Sequence, residues 1–80
     1  MSDYDREIKT YDEAIRLDPQ YAVAYCNRGN AYGTLGQYER AIQDYDEAIR
    51  LDPQQALNYY FRAWAYSDLG QYQQAIQDYD

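Results

Sequence analysis

Residues 11–20 read YDEAIRLDPQ, and residues 45–54 read the same ten letters, so that Tyr11 returns as Tyr45 after 34 positions. A second, independent pair agrees on the period: GQYERAIQDYD from Gly36 to Asp46 returns as GQYQQAIQDYD from Gly70 to Asp80. Self-similarity at one period of this length marks a chain built of stacked supersecondary units.

Inside each period the apolar residues follow helical spacing. Tyr38, Ala41, Ile42, Tyr45, Ala48 and Ile49 stand at i, i+3, i+4, i+7, i+10 and i+11, one face of an α-helix. Tyr4, Ile8, Tyr11, Ala14 and Ile15 repeat that face near the N-terminus. Gly36 and Gly70 suit the left-handed residue that ends a helix. Asp18-Pro19 and Asp52-Pro53 stop the alternate helices, because the residue before proline is pushed out of helical geometry. The spacing predicts five helices, near 4–17, 21–35, 38–51, 55–69 and 72–80, and no strand.

The residues resemble the tetratricopeptide repeat family, whose period is 34 and whose pattern runs W-x2-L-G-x2-Y, then A-x3-F, then P. Tyr25, Arg28, Gly29, Tyr32, Ala41, Tyr45 and Pro53 occupy those places, followed by Tyr59, Arg62, Ala63, Tyr66, Ala75 and Tyr79. Two departures stand out: Arg28 and Arg62 replace the leucine, and Ala63 replaces the glycine. The resemblance implies an all-α fold of antiparallel helix-turn-helix units stacked as a short right-handed superhelical solenoid. One domain over 1–80 is expected, with a partial repeat at 1–21, a full repeat at 22–55 and a truncated repeat at 56–80. It also implies a concave groove, lined by the first helix of each unit, that holds peptides or protein segments.

Charge and composition narrow the function. Seven basic against fourteen acidic side chains give a net charge of −7, which disfavours nucleic acid, whose binding rests on neutralised phosphates. Anionic membrane surfaces are disfavoured too, and basic or apolar protein partners are favoured. No run approaches the roughly 20 apolar residues of a membrane span. The one cysteine, Cys26, fits a reducing compartment and hence a cytoplasmic setting.

Catalytic chemistry is poorly served. Histidine is absent, and with it the commonest general base and metal ligand. Ser2 and Ser67 lie in no activating motif. The pairs Asp3/Asp5, Asp44/Asp46 and Asp78/Asp80 are two residues apart, so they do not face each other on a helix. They read as solvated faces. No enzyme, cofactor or metal site is expected.

The informative contrast lies between the two first helices. The 55–69 helix carries an inward stripe of Ala56, Tyr59, Ala63, Tyr66 and Leu69, and a second stripe of Leu57, Tyr60, Phe61 and Trp64. A helix that is apolar all round is either buried on both sides or offers one side to a partner. Thirty-four residues earlier the second stripe reads Val23, Cys26, Asn27 and Asn30. By resemblance these eight residues line the groove. Aromatic side chains are the usual interface anchors, and asparagine both donates and accepts, which suits a peptide backbone. The competing reading is that Phe61 and Trp64 pack against the neighbouring unit near Val23. One subgroup of the family clamps the C-terminal carboxylate of heat-shock chaperones with lysine, arginine and asparagine. Its basic positions fall here on Cys26, Leu57 and Phe61, so that activity is not expected.

Two further expectations follow from the pattern. Wherever a first helix carries arginine, the second carries aspartate, and where no first helix precedes, the same place holds Thr10. Arg28 should therefore pair with Asp44 and Arg62 with Asp78. The alternative function is a self-assembling element: with no polar capping helix at either end, copies would stack head to tail into an open chain or ring.

Overall fold

The computed structural model describes residues 2–71 together with Gln74, Gln77 and Asp78. Four helices run through this span: α1 (Asp3–Leu17), α2 (Ala22–Thr34), α3 (Tyr38–Leu51) and α4 (Ala56–Asp68). There is no strand among the described residues. The fifth expected helix, at 72–80, falls mostly outside them; Gln74, Gln77 and Asp78 are helical.

The helix ends follow from local chemistry. At α1 the Ser2 hydroxyl accepts from the Asp5 N–H at 3.2 Å while the Asp5 carboxylate accepts from the Ser2 N–H at 3.3 Å, a reciprocal capping box. Asp18 and Asp52, each held out of helical geometry before a proline, cap the C-termini of α1 and α3. The turns that follow are tied in the same way one period apart: Tyr25 donates its hydroxyl to the Pro19 carbonyl and Tyr59 to the Pro53 carbonyl, both at 3.2 Å. Gly36 and Gly70 take φ of 79° and 81° beyond α2 and α4. That reversal lets the Gln37 and Gln71 N–H groups reach back to the carbonyls of Tyr32 and Tyr66, at 2.9 and 2.8 Å.

Each helix packs on its sequence neighbours, and α2 also meets α4, so the first helices of successive units lie side by side. The result is a slab of 34 × 28 × 14 Å. So thin a body buries little, and its core is made of small residues around one large one. Ala41, Ala48, Ala63, Ala65 and Tyr45 have no exposed surface. The helices approach closely enough that a methyl added at Gly29 would stand 2.8 Å from the Tyr45 ring. Tyrosine suits the rest of the stack, because its ring packs while its hydroxyl reaches a partner or water. Ile8, Tyr11 and Ile15 of α1 are half-buried. No helix among the described residues is long and apolar enough to cross a membrane.

Candidate functional site

Where α2 and α4 lie side by side, a cleft of about 290 Å³ opens between their N-terminal halves. Val23, Cys26, Asn27 and Asn30 form one wall, Leu57, Asn58 and Phe61 the other, and Asp52 and Gln55 of the α3–α4 turn close one end. A second hollow of about 410 Å³ shares Asn30 and Phe61 with it and adds Thr34 and Trp64. Seven of the eight residues singled out from the sequence line these two hollows. Tyr60, 51% exposed, lines neither.

The rim is apolar and open. Val23 and Leu57, one on each wall, are each 55% exposed. The aromatic floor is fixed from behind. Phe61 stacks on the buried Tyr45 ring, with centres 6.0 Å apart and planes at 24°. Trp64 meets Tyr38 edge-on at 5.9 Å and lies over Gly33, where an added methyl would stand 2.5 Å from its ring. Both rings are only half-buried and still line the hollows. Packing against the neighbouring unit and presenting a surface are therefore combined in the same side chains, and the packing partners are Tyr45, Tyr38 and Gly33.

The polar groups are oriented as well. The Tyr45 hydroxyl donates to Asn30 Oδ1 at 2.5 Å, which leaves the Asn30 amide N–H groups for the cleft. Asn58 is 3% exposed and stands in the opposite wall. No fully buried side-chain nitrogen or oxygen among the described residues lacks a partner. The Cys26 thiol is pushed up to about 11 by burial, so it stays protonated at neutral pH. Among the described residues, Asp52 is the only ionisable side chain lining the cleft besides that thiol.

A larger hollow of about 570 Å³ lies elsewhere, between α1 and α3, lined by Asp5, Ile8, Lys9, Asp12, Tyr32, Gln37 and Arg40. Its charged groups carry both signs, and the one aromatic ring among its described lining residues, that of Tyr32, lies beneath the guanidinium groups of Arg28 and Arg40.

Behind the cleft the arginines tie the stack together. Arg28 binds Asp44 through two parallel hydrogen bonds, Nε to Oδ2 at 2.8 Å and Nη2 to Oδ1 at 2.7 Å. Its remaining Nη1 donates to Asp12 Oδ1 at 2.8 Å. Arg62 repeats the arrangement with Asp78, at 2.8 and 2.7 Å, and with Asp46 at 2.7 Å. One guanidinium thus joins three helices: α2 to α3 ahead of it and α1 behind it. Tyr25 and Tyr32 flank it, with ring centres 5.6 and 6.0 Å from Cζ. Burial pushes the Asp44 carboxyl up, against the opposing pull of Arg28, while that pairing holds the Arg28 guanidinium above its usual range.

One expectation needs correcting here. Asp44 does not belong to a solvated face, since only 4% of it is exposed. Sequence reasoning also missed Asp12 and Asp46, although each lies 16 residues before its arginine just as Asp44 and Asp78 lie 16 after. Asn58 was missed as well; its signal is that it replaces Ala24 one period later, at a core position.

Models of the tetratricopeptide repeat match residues 22–55 and 44–77, and a model described as TPR repeat matches residues 2–36. Among solved structures, the second TPR of Spaghetti (RPAP3) bound to HSP90 peptide SRMEEVD is 34% identical with a TM-score of 0.92, covering 95% of this chain and 70% of that one. The first TPR of the same protein, bound to the same peptide, is 30% identical with a TM-score of 0.93, covering 95% and 60%. The Arabidopsis OM64 TPR domain is 32% identical with a TM-score of 0.92, covering 95% and 63%. No curated protein sequence matches the chain. With three family models spanning it from residue 2 to residue 77, the chain belongs to the tetratricopeptide repeat family.

Proposed function

We propose that this protein is a non-catalytic interaction scaffold that holds a segment of another polypeptide in the cleft between α2 and α4. The observation that carries the reading is the combination of an aromatic floor, an open apolar rim and oriented amides. Phe61 and Trp64 are anchored from behind, so a ligand packs against them without first ordering them. Val23 and Leu57 leave more than half their surface exposed at the mouth, apolar area that a ligand would remove from water. Asn30 has its carbonyl committed to Tyr45, which frees its N–H groups for a peptide carbonyl. At about 290 Å³ the hollow between Val23 and Leu57 lies just under the range of roughly 300–1,000 Å³ for small-ligand pockets, room for one or two side chains of an extended chain. The RPAP3 domains, similar in fold and in about a third of their residues, are bound to a peptide.

The test is selection of random heptapeptides on the whole chain, followed by titration of the enriched ones against Leu57→Asp and Val23→Asp. Both residues are exposed, so the fold should survive their replacement. Binding should weaken at least tenfold in each. Unchanged binding in both variants would remove the cleft from the account. If no peptide is enriched but mass in sedimentation grows with concentration and Leu57→Asp abolishes the growth, a second copy of the chain is the occupant.

A further inference from the structure

Taking the α2–α4 cleft as the binding site just proposed, its chemistry specifies the kind of peptide it accepts. Across both hollows there is no lysine or arginine. Among the described residues the one ionised group is Asp52, at the end where the α3–α4 turn closes the first cleft. Every other polar lining group is a neutral amide, hydroxyl or protonated thiol: Asn27, Asn30, Asn58, Gln55, Thr34 and Cys26.

The first turns of α2 and α4 border the cleft, and the positive end of each helix dipole on its own favours an anion. That attraction amounts to about half an elementary charge and fades within one turn. The full negative charge of Asp52, which lines the same cleft as Gln55 and Leu57 at the start of α4, offsets it at that end. Farther out, the chain's net charge of −7 adds a field that draws cations and repels acids. A carboxylate placed in this cleft loses water and finds no cation, the arrangement in which burying a charge is most costly.

The amides point the same way. Asn30 offers N–H donors, because its oxygen is taken by Tyr45. Asn58, nearly buried in the facing wall, offers a donor and an acceptor at once. A mid-chain peptide unit presents the matching carbonyl and N–H, whereas a terminal carboxylate presents acceptors only.

We infer that the cleft selects an internal, extended segment in which a large apolar residue enters between Val23, Leu57 and Phe61 while a nearby lysine or arginine pairs with Asp52, and that it rejects acidic peptide ends. This preference is opposite in charge to the SRMEEVD peptide of the RPAP3 domains, even though the folds superpose closely.

The experiment uses two heptapeptide libraries, one embedded within a longer displayed chain and one ending in a free carboxylate, selected on the intact protein, on Asp52→Asn and on Leu57→Asp. The expected winners come from the embedded library and carry an apolar residue within a few positions of lysine or arginine. As synthetic amidated peptides they should bind roughly two- to fivefold more weakly to Asp52→Asn, the scale of an exposed ion pair, and more weakly as salt rises. Replacing their basic residue by glutamate should weaken binding to the intact protein and matter less to Asp52→Asn. Winners rich in acids or ending in a free carboxylate, or winners with no charge preference, overturn this inference while the loss of binding in Leu57→Asp keeps the cleft reading intact. Winners that bind Leu57→Asp as well as the intact chain overturn the cleft reading, and this inference with it.

Discussion

The indole of Trp64 rests on the bare Cα of Gly33, so close that a methyl there would stand 2.5 Å from its Cζ3 and 2.6 Å from its Cη2. A first helix of one unit thereby fixes the aromatic wall presented by the next. Ser67 occupies the place equivalent to Gly33 one period later, so this contact belongs to the α2–α4 junction alone.

Gly33→Ala should therefore push the Trp64 ring outward into the hollow it lines. The displaced atoms are the far end of a half-buried side chain, so overpacking should fall at the low end of about 1–3 kcal/mol. About 1 kcal/mol returns from the better helix propensity of alanine. The net change in urea stability should be near zero, with a clear shift in Trp64 fluorescence. Gly29→Ala should behave differently: its methyl meets the Tyr45 ring at 2.8 Å and the Ala41 carbonyl at 3.2 Å, and neither has room to move. We expect a net loss of about 2 kcal/mol, with the overpacking cost at the upper end. Equal effects of the two substitutions would contradict the packing described.

The arginine ties differ in strength by burial. The Asp44 side chain is 6% exposed and that of Asp12 is 50% exposed. Asp44→Ala should destabilise by about 3 kcal/mol, because it strips a half-buried guanidinium of its bidentate partner. Asp12→Ala should cost under about 1 kcal/mol, the scale of an exposed pair. Replacing both Arg28 and Asp44 by leucine should recover most of the Asp44→Ala loss, since removing a whole buried pair is far less costly than removing half of it. Chemical denaturation midpoints of the four proteins check the order.

Cys26 gives the pH dependence. Burial raises its thiol from an ordinary 9.0 to about 11, and only the thiolate is alkylated. A raised thiol pKa means less thiolate at every pH below it, so at pH 8 the folded chain should react roughly 100-fold more slowly than the urea-unfolded chain. The folded rate should climb tenfold per pH unit beyond the point where the unfolded rate levels off. A bound peptide should slow it further, as Cys26 lines the cleft. Equal folded and unfolded rates at pH 8 would show that the thiol is not shielded.

The period, the helices and the pairing of Arg28 with Asp44 were legible because each is a repeated relationship: the same letters return after 34 residues, and arginine and aspartate change together. What was not legible is what repeats without changing or changes only once. Asp12 and Asp46 sit among exposed acids, and their one signal, a place 16 residues before an arginine, comes without the change of residue type that marks Asp44. Asn58 broke the pattern at a single buried place, against Ala24. The apolar stripe starts α1 at Tyr4, whereas the Ser2–Asp5 cap, which carries no apolar residue, sets its first residue at Asp3. Spacing groups Tyr60 with Leu57 and Trp64, but spacing along one helix does not say which side chains the neighbouring helix encloses, and Tyr60 lines neither hollow.

The cleft itself is tested most directly by mapping backbone amide shifts in NMR while an enriched, amidated heptapeptide is added to the whole chain. The account predicts that saturable changes concentrate at Val23, Asn27, Asn30, Leu57, Asn58 and Phe61, with the indole N–H of Trp64 moving along with them. Changes confined to the hollow between α1 and α3, around Lys9, Asp12 and Arg40, with those six residues still, would contradict it.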